Sequence, residues 1–280
     1  MVSIYLMGGL GNQLFQIFNT MAYAYRFKKE FVFPYSETLK TGVERPTYWT
    51  SLFKNIYKYT LPQGDMPRLP LVKEPGFTYI QIPDIPQDFM FYGYFQSYKY
   101  FDDQYNKIMD TIGIRDIQNQ KRVHMKDSID FDSTISLHFR LGDYKEKQQH
   151  HPVMPVEYYI KAIEHIHKTT MKEDWTFLYF YEKDDEDIVM KSIDKLKTTF
   201  PSASFIPVDH TLSDWEQMIT MSLCKHNIIA NSSFSWWGAY FNENKDNIVC
   251  YPSVWFGKAF APGTHNTRDL FPDKWSKIIF

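Results

Sequence analysis

The chain has 280 residues, 44% of them hydrophobic, enough for one large core or two modest ones. A formal charge of -2 leaves no basic field for holding nucleic acid. The two cysteines, Cys224 and Cys250, lack metal-ligand spacing, and so few thiols in a chain of this length imply a reducing, cytoplasmic setting.

Residues 1–25 contain no Asp, Glu, Lys or Arg, but no basic segment leads them, and Gly8, Gly9, Gly11, Asn12 and Gln13 interrupt the apolar run. Neither a signal peptide nor a membrane helix is expected there, and any membrane contact would be peripheral. The opening reads as a strand over Val2–Met7, a turn over Gly8–Gln13 and a helix over Leu14–Phe27. A short strand follows at 31–33. The stretch Leu61–Pro86 holds six of the 15 prolines, so extended, irregular structure is expected. A helix over Tyr98–Ile112 comes next. The polar run Arg115–Asp132 reads as the boundary between two domains, 1–125 and 126–280.

From Thr134 the rhythm becomes regular. Strands are expected at 134–140, 175–181, 204–208, 227–230 and 247–251. Helices are expected at 156–170, 184–198, 213–223 and 234–242. Strands alternating with helices imply an α/β fold with a mostly parallel sheet covered on both faces, and ligands of such sheets bind beyond the carboxyl ends of the strands.

Three stretches carry candidate chemistry. The first is strand, glycine turn, helix: MGGLGNQLFQ. A dinucleotide fingerprint needs a third glycine where Leu14 stands and an acid after the second strand, where Phe33-Pro34 supplies none; the phosphate-loop lysine and hydroxyl are also missing. What remains is a turn where Gly9 and Gly11 let the backbone approach a ligand, with the Asn12 and Gln13 amides at a helix start. The plainer alternative is a tight turn with Asn12 as the helix cap.

The second is SLHFRLGDY. Side chains alternate along a strand, so His138 and Arg140 share a face, and Gly142 lets the chain turn toward Asp143. A planar guanidinium at a strand end can hold phosphate through two parallel hydrogen bonds. His138 would hydrogen-bond a nucleotide or an acceptor hydroxyl, and Asp143 would orient Arg140 or accept a proton. The alternative is a structural Arg140–Asp143 ion pair. The third stretch follows the apolar strand at His226–Ala230: Asn231, Ser232, Ser233, Phe234 and Ser235 at a strand-to-helix junction make an anion cradle, with a plain serine N-cap as the alternative. Asn231-Ser232-Ser233 is formally a glycosylation sequon, but its place at a buried strand end argues against use.

GGLGNQLFQ, HFRLGDY and NSSFSWWGAYF in this order, with the stretch Asp214–Cys224 and Tyr251-Pro252, make the chain resemble the α-1,2-fucosyltransferases of glycosyltransferase family 11 over nearly its whole length. Many members carry a second arginine in the middle motif; here that position is Leu141, so a role carries over to Arg140 alone. The resemblance implies a GT-B type α/β fold, two Rossmann-like domains facing across a cleft, the first on the acceptor side and the second binding the nucleotide. It implies GDP-β-L-fucose as donor, bound through His138, Arg140, Asn231, Ser232, Ser233, Phe234, Ser235, Gly9 and Gly11. The acceptor would be the terminal galactoside of an oligosaccharide or glycolipid-linked glycan, near Gln13 and Trp236. Arg140, Asp143 and Asn12 are the expected catalytic group.

Transfer with inversion builds negative charge on the departing β-phosphate, which a fixed guanidinium stabilises. No metal is expected to be required: Asp130-Phe131-Asp132 precedes its strand at the wrong end for a carboxyl-edge site, and Asp185-Glu186-Asp187 reads as solvated. A carboxylate at Asp184 or Asp185 would accept from the guanine edge. Competing readings are a transferase of another sugar nucleotide or fucose position, and a binding protein without turnover, with Leu141 as the mark of lost activity.

Overall fold

The computed structural model describes residues 1–40, 43–260 and 263–280. The chain divides into two units, Met1–Ile117 with Pro262–Pro272, and Gln118–Ala261 with Asp273–Phe280. The expected boundary at 125/126 differs from this division in two ways. The polar run after Arg115 folds as a helix, and a late segment returns to the first unit.

The first unit starts with strand β1 (Val2–Ile4), helix α1 (Leu10–Arg26) and strand β2 (Phe33–Tyr35). It continues through β3 (Thr38–Leu39), β4 (Arg45–Pro46), β5 (Thr60–Pro62), β6 (Leu71–Lys73), β7 (Phe89–Tyr92) and helix α2 (Tyr105–Ile112). Strands β1, β7 and β6 form a parallel sheet in that order, β2 pairs with β5, and a parallel bridge from Val2 to Phe31 joins β1 to the second strand region. From Leu10 to Ala24 every residue of α1 except Asn12 is buried, which is why the opening of the chain carries no charge: a helix covered on all sides has no solvent face to charge. The helix begins four residues before the expected Leu14. Strand β6 lies inside the proline-rich stretch, between Pro70 and Pro75; it sits at the edge of its sheet, where missing donors are tolerated. The expected helix over Tyr98–Ile112 is two short 3-10 turns followed by α2. The returning segment is held by Asp269, whose carboxylate takes Lys99 Nζ at 2.6 Å and Tyr79 N–H at 3.1 Å.

Helix α3 (Ile114–Met125) leads into the second unit. Gln118 donates to Ser222 Oγ at 2.8 Å and Phe241 O at 2.9 Å, which ties α3 to that unit. There follow β8 (Thr134–His138), α4 (Val156–Thr170), β9 (Thr176–Phe180), α5 (Glu186–Thr199), β10 (Ser204–Pro207), α6 (Asp214–Leu223), β11 (His226–Ile228), α7 (Ser233–Tyr240), β12 (Val249–Pro252) and β13 (Ser276–Ile278). All five expected strands and four expected helices are present, and β13 is additional. The six strands are parallel, in the order β10-β9-β8-β11-β12-β13. That order is doubly wound: the chain runs outward one way from β8 and then, from β11, outward the other way. On one face Leu137, Phe139, Phe177 and Tyr179 pack with Tyr158, Ile163, Val189 and Ile193 of α4 and α5. On the other, Leu178 and Phe180 pack with Met221 and Leu223 of α6. Burial on both faces is what an all-parallel sheet requires. Among the described residues no helix is long and apolar enough to cross a membrane.

Candidate active site

The point where strand order reverses lies between β8 and β11, and a crevice at the carboxyl ends of two such strands is where open α/β sheets bind ligands. The two late motifs leave these two strands. Sequence reading placed each at a strand end; the topology makes the strands neighbours. Tyr144 joins them directly, its hydroxyl donating to Asn231 O at 3.3 Å.

Period-two alternation holds through the β8 end. Phe139 and Leu141 enter the core, while His138 and Arg140 take the opposite face. Leu141 is therefore a core residue, not a gap in the charge of the site. The Arg140 guanidinium bonds Asp143 Oδ1 at 2.5 Å and Glu182 Oε1, and lies over the Tyr144 ring at 4.9 Å. Asp143 also takes Lys147 Nζ at 3.1 Å. Gly142 has φ +44°, a left-handed backbone that favours glycine, and a β-carbon there would lie 2.7 Å from the Glu182 carboxylate. The Arg140–Asp143 pair expected as an alternative is thus present, with a second carboxylate added.

His138 is buried against Phe234 at 5.6 Å, and its Nδ1 has no hydrogen-bond partner in the protein. Burial, reinforced by the Arg140 charge, pushes its pKa down to about 3, so the ring is neutral at pH 7. Asn231 is buried too. Its amide donates to Pro152 O at 2.9 Å and Trp255 O at 3.2 Å, which leaves Oδ1 without a partner. Both atoms are among the buried side-chain atoms without a protein partner, although buried polar groups are nearly always paired, and both sit at the carboxyl ends of the switch-point strands. A buried Asn231 also rules out the sequon in the folded chain.

Ser232 caps α7, accepting from Phe234 N–H at 3.3 Å, as the plain alternative expected. Ser235 is buried and donates to Ser232 O at 3.4 Å, while Ser233 and Phe234 are half-buried at the helix start. The first-turn amides of α7 still point out of the β11 end, where they favour an anion. Trp236 lies in the core instead of at a ligand surface. The acceptor contact expected of it has no room, because the ring is fully buried and stacks on Tyr240 at 4.5 Å with Trp237 and Trp275 around it.

The acidic run after β9 reaches the same place. Asp185 is buried, accepting from Gly142 N–H at 2.7 Å and Lys145 Nζ at 2.6 Å. That hydrogen bond raises the Lys145 pKa. With both oxygens so used, Asp185 ties down the β8 turn; Asp184 is exposed. Asp130 lies before β8, at the amino edge, accepting from Asp132 N–H at 3.2 Å.

In the first unit the glycine turn has a different layout from the expected one. Gly9 is the N-cap of α1, Gly11 is inside the helix and Asn12 is its third residue, so the alternative of Asn12 as cap is overturned. Gly8 carries the left-handed backbone, φ +79°, and a β-carbon on it would lie 2.4 Å from Asn12 Nδ2. Asn12 Oδ1 accepts from Gln96 Nε2 at 2.7 Å. Gln13, expected at the acceptor, is buried and spends both amide hydrogens on Gly8 O at 3.1 Å and Pro46 O at 2.9 Å.

The family model for glycosyl transferase family 11 matches residues 72–278. The chain belongs to glycosyl transferase family 11. An O-antigen biosynthesis glycosyltransferase, WbnK, of Escherichia coli is 28% identical over 69% of this chain and 62% of its own length. An α-1,2-colitosyltransferase of the same organism is 30% identical over 67% of this chain and 62% of its own. A galactoside 2-α-L-fucosyltransferase of Caenorhabditis elegans is 22% identical over 99% of this chain and 79% of its own. The chain thus spans under two thirds of the first two relatives. Among solved structures, that of the NodZ α-1,6-fucosyltransferase soaked with GDP-fucose is 12% identical, with a TM-score of 0.45 over 85% of this chain and 90% of that one.

For this family 11 chain, sequence reasoning missed Glu182, Tyr144 and the tether through Asp185 and Lys145. Each depends on β9 and β11 being the neighbours of β8. The only signal available was position: Glu182 and Asp185 follow directly on a strand end.

Proposed function

We propose that this family 11 chain transfers L-fucose from GDP-β-L-fucose to the 2-hydroxyl of a terminal galactoside, with inversion and without a metal, through the two-unit GT-B arrangement the resemblance implies. The observation that carries the reading is Arg140 after the end of β8, at the switch point where the neighbouring strand β11 leads into α7. The bond from the anomeric carbon to the β-phosphate oxygen breaks, its electron pair staying on GDP. The acceptor oxygen bonds the opposite face of that carbon and gives up its hydroxyl proton to water as the leaving group departs, so no strong base is needed. The guanidinium meets the charge as it develops, which is worth more in the transition state than in the ground state. His138 Nδ1 and Asn231 Oδ1 suit the nucleoside, and Asp184 suits the guanine edge. Asp143, held by Arg140 and Lys147, serves best as the residue that orients the guanidinium.

A second donor is favoured by a specific observation: one relative is named an α-1,2-colitosyltransferase. Incubating the chain with lactose and either the fucosyl or the colitosyl donor, in excess EDTA, separates the readings by product mass. Product from the fucosyl donor supports the proposal. Product from the colitosyl donor alone moves the donor, and rescue only by Mn²⁺ removes the metal-free mechanism.

A further inference from the structure

Four tyrosines are exposed among the described residues; two of them, Tyr5 and Tyr92, meet at the carboxyl edge of the first unit's sheet, and a third, Tyr94, follows two residues on. Tyr5 follows β1, Tyr92 ends β7, and Glu74 follows β6. The chains stay in register past the strand ends: Tyr5 N–H donates to Phe91 O at 2.9 Å, and Glu74 N–H to Tyr92 O at 2.9 Å. The rings of Tyr5 and Tyr92 are 5.6 Å apart and tilted by 41°. Glu74 then accepts from Tyr94 N–H at 2.8 Å.

The backbone is bent to make this arrangement. Gly93 has φ +157°, and a β-carbon on it would lie 2.3 Å from the Glu74 Cβ. Phe95 takes the left-handed region at φ +54°, which side chains avoid unless the surroundings impose it and which gathers at functional positions. Gln16 pins Gly93 O at 3.0 Å, and Gln96 bonds Asn12 at 2.7 Å, so the glycine turn and the tyrosine segment form one connected edge.

We infer that Tyr5, Tyr92, Tyr94 and Glu74 form a binding surface for a neutral saccharide. The inference rests on the proposed transfer reaction, in which this surface takes the galactoside acceptor. A pyranose has an apolar C–H face and a rim of hydroxyls. Tyrosine rings offer an apolar face with a polar tip, so they suit both. An ionised carboxylate has about four acceptor sites, so Glu74 keeps capacity for sugar hydroxyls beyond its backbone contacts. Its negative charge disfavours a phosphate ligand here. Burial raises the Glu74 pKa.

The test is saturation-transfer NMR with lactose on the full chain, with GDP affinity measured alongside by calorimetry. Lactose should bind the wild type and lose roughly threefold to tenfold in Tyr92→Ala, the size of one aromatic contact. Tyr92→Phe should keep most of the affinity, Glu74→Gln should weaken it, and GDP affinity should be unchanged in all three. Tyr92 is exposed, so its replacement leaves the fold intact; thermal melts check this, and Tyr94→Ala is the second probe. Unchanged lactose binding in folded Tyr92→Ala, Tyr94→Ala and Glu74→Gln overturns the inference. So does binding of tetramethylammonium in place of lactose, which would make the tyrosines a cation site. Tyrosine-dependent lactose binding without any GDP binding supports the surface and removes the donor reading instead.

Discussion

Arg140 sits in the company of carboxylates. The two carboxylates use one N–H on each terminal nitrogen and offset the guanidinium charge, so a phosphate is held best when one of them withdraws, and the two differ in how firmly they are set. Asp143 is three residues away on the same turn and is also held by Lys147, whereas the Glu182 side chain is 55% exposed. Glu182 is therefore the one expected to yield. Replacing Arg140 by Ala should lower turnover by roughly 10²–10³, the cost of one preorganised transition-state donor. Lys should rescue little, since an ammonium lacks the two-pronged geometry. Steady-state kinetics on both variants, with melts to confirm folding, check this. His138 and Arg140 were legible as neighbours because alternation fixes their face. Glu182 was not, since its approach depends on which strand lies beside β8. Trp236 misled because an aromatic pair beside a serine cradle looks the same in sequence whether it faces a sugar or the core.

At the scale of elements, helix α1 starting at Leu10 changes what Asn12 can do. Its side chain is not needed as a cap, because Gly9 holds that position. Asn12 Oδ1 accepts from Gln96 instead; with Asn12 on the acceptor side of the proposed transfer, Asn12→Ala should cut turnover while leaving GDP affinity within a few-fold, as measured by calorimetry and initial rates. A second element-scale device joins the strands of the switch point. Buried Asn227 donates to Ser136 Oγ of β8 at 2.6 Å and Met221 O of α6 at 2.8 Å, and accepts from Asn242 at 2.7 Å. Asn227→Ala orphans these partners at about 1–3 kcal/mol for each group left unsatisfied, so urea unfolding should show a clear loss of stability. The helix–strand rhythm after Thr134 was readable because each element has its own period and breaker. The first unit was harder. Its sheet is built from short strands, one of them framed by prolines, and its expected helix over Tyr98–Ile112 is interrupted by 3-10 turns.

For the whole molecule, alternation of strands and helices established a parallel sheet but not its order, because order is decided by which crossovers pack best and leaves no local mark. The order is what brings HFRLGDY and NSSFSWWG together. The molecule also carries a pH signature. Burial holds His226 near a pKa of about 4 and His138 near about 3, against an unfolded value near 6.5. Between these values the unfolded chain binds more protons, so stability is full above about pH 6.5 and falls as pH drops toward 4. The expected loss is on the order of several kcal/mol, since each tenfold difference in proton affinity between the folded and unfolded chain is worth about 1.4 kcal/mol. Denaturation midpoints at pH 7, 6, 5 and 4 should fall steadily, and a flat profile would contradict buried neutral histidines.

The central claim is that the switch point of the second unit holds the donor's diphosphate. A crystal structure of the chain with GDP tests it most directly. The β-phosphate is expected within hydrogen-bond reach of the Arg140 guanidinium and the first amides of α7, with Glu182 released and His138 Nδ1 bonded to the nucleotide. GDP bound elsewhere, or bound here with Arg140 still closed on both Asp143 and Glu182, would contradict it.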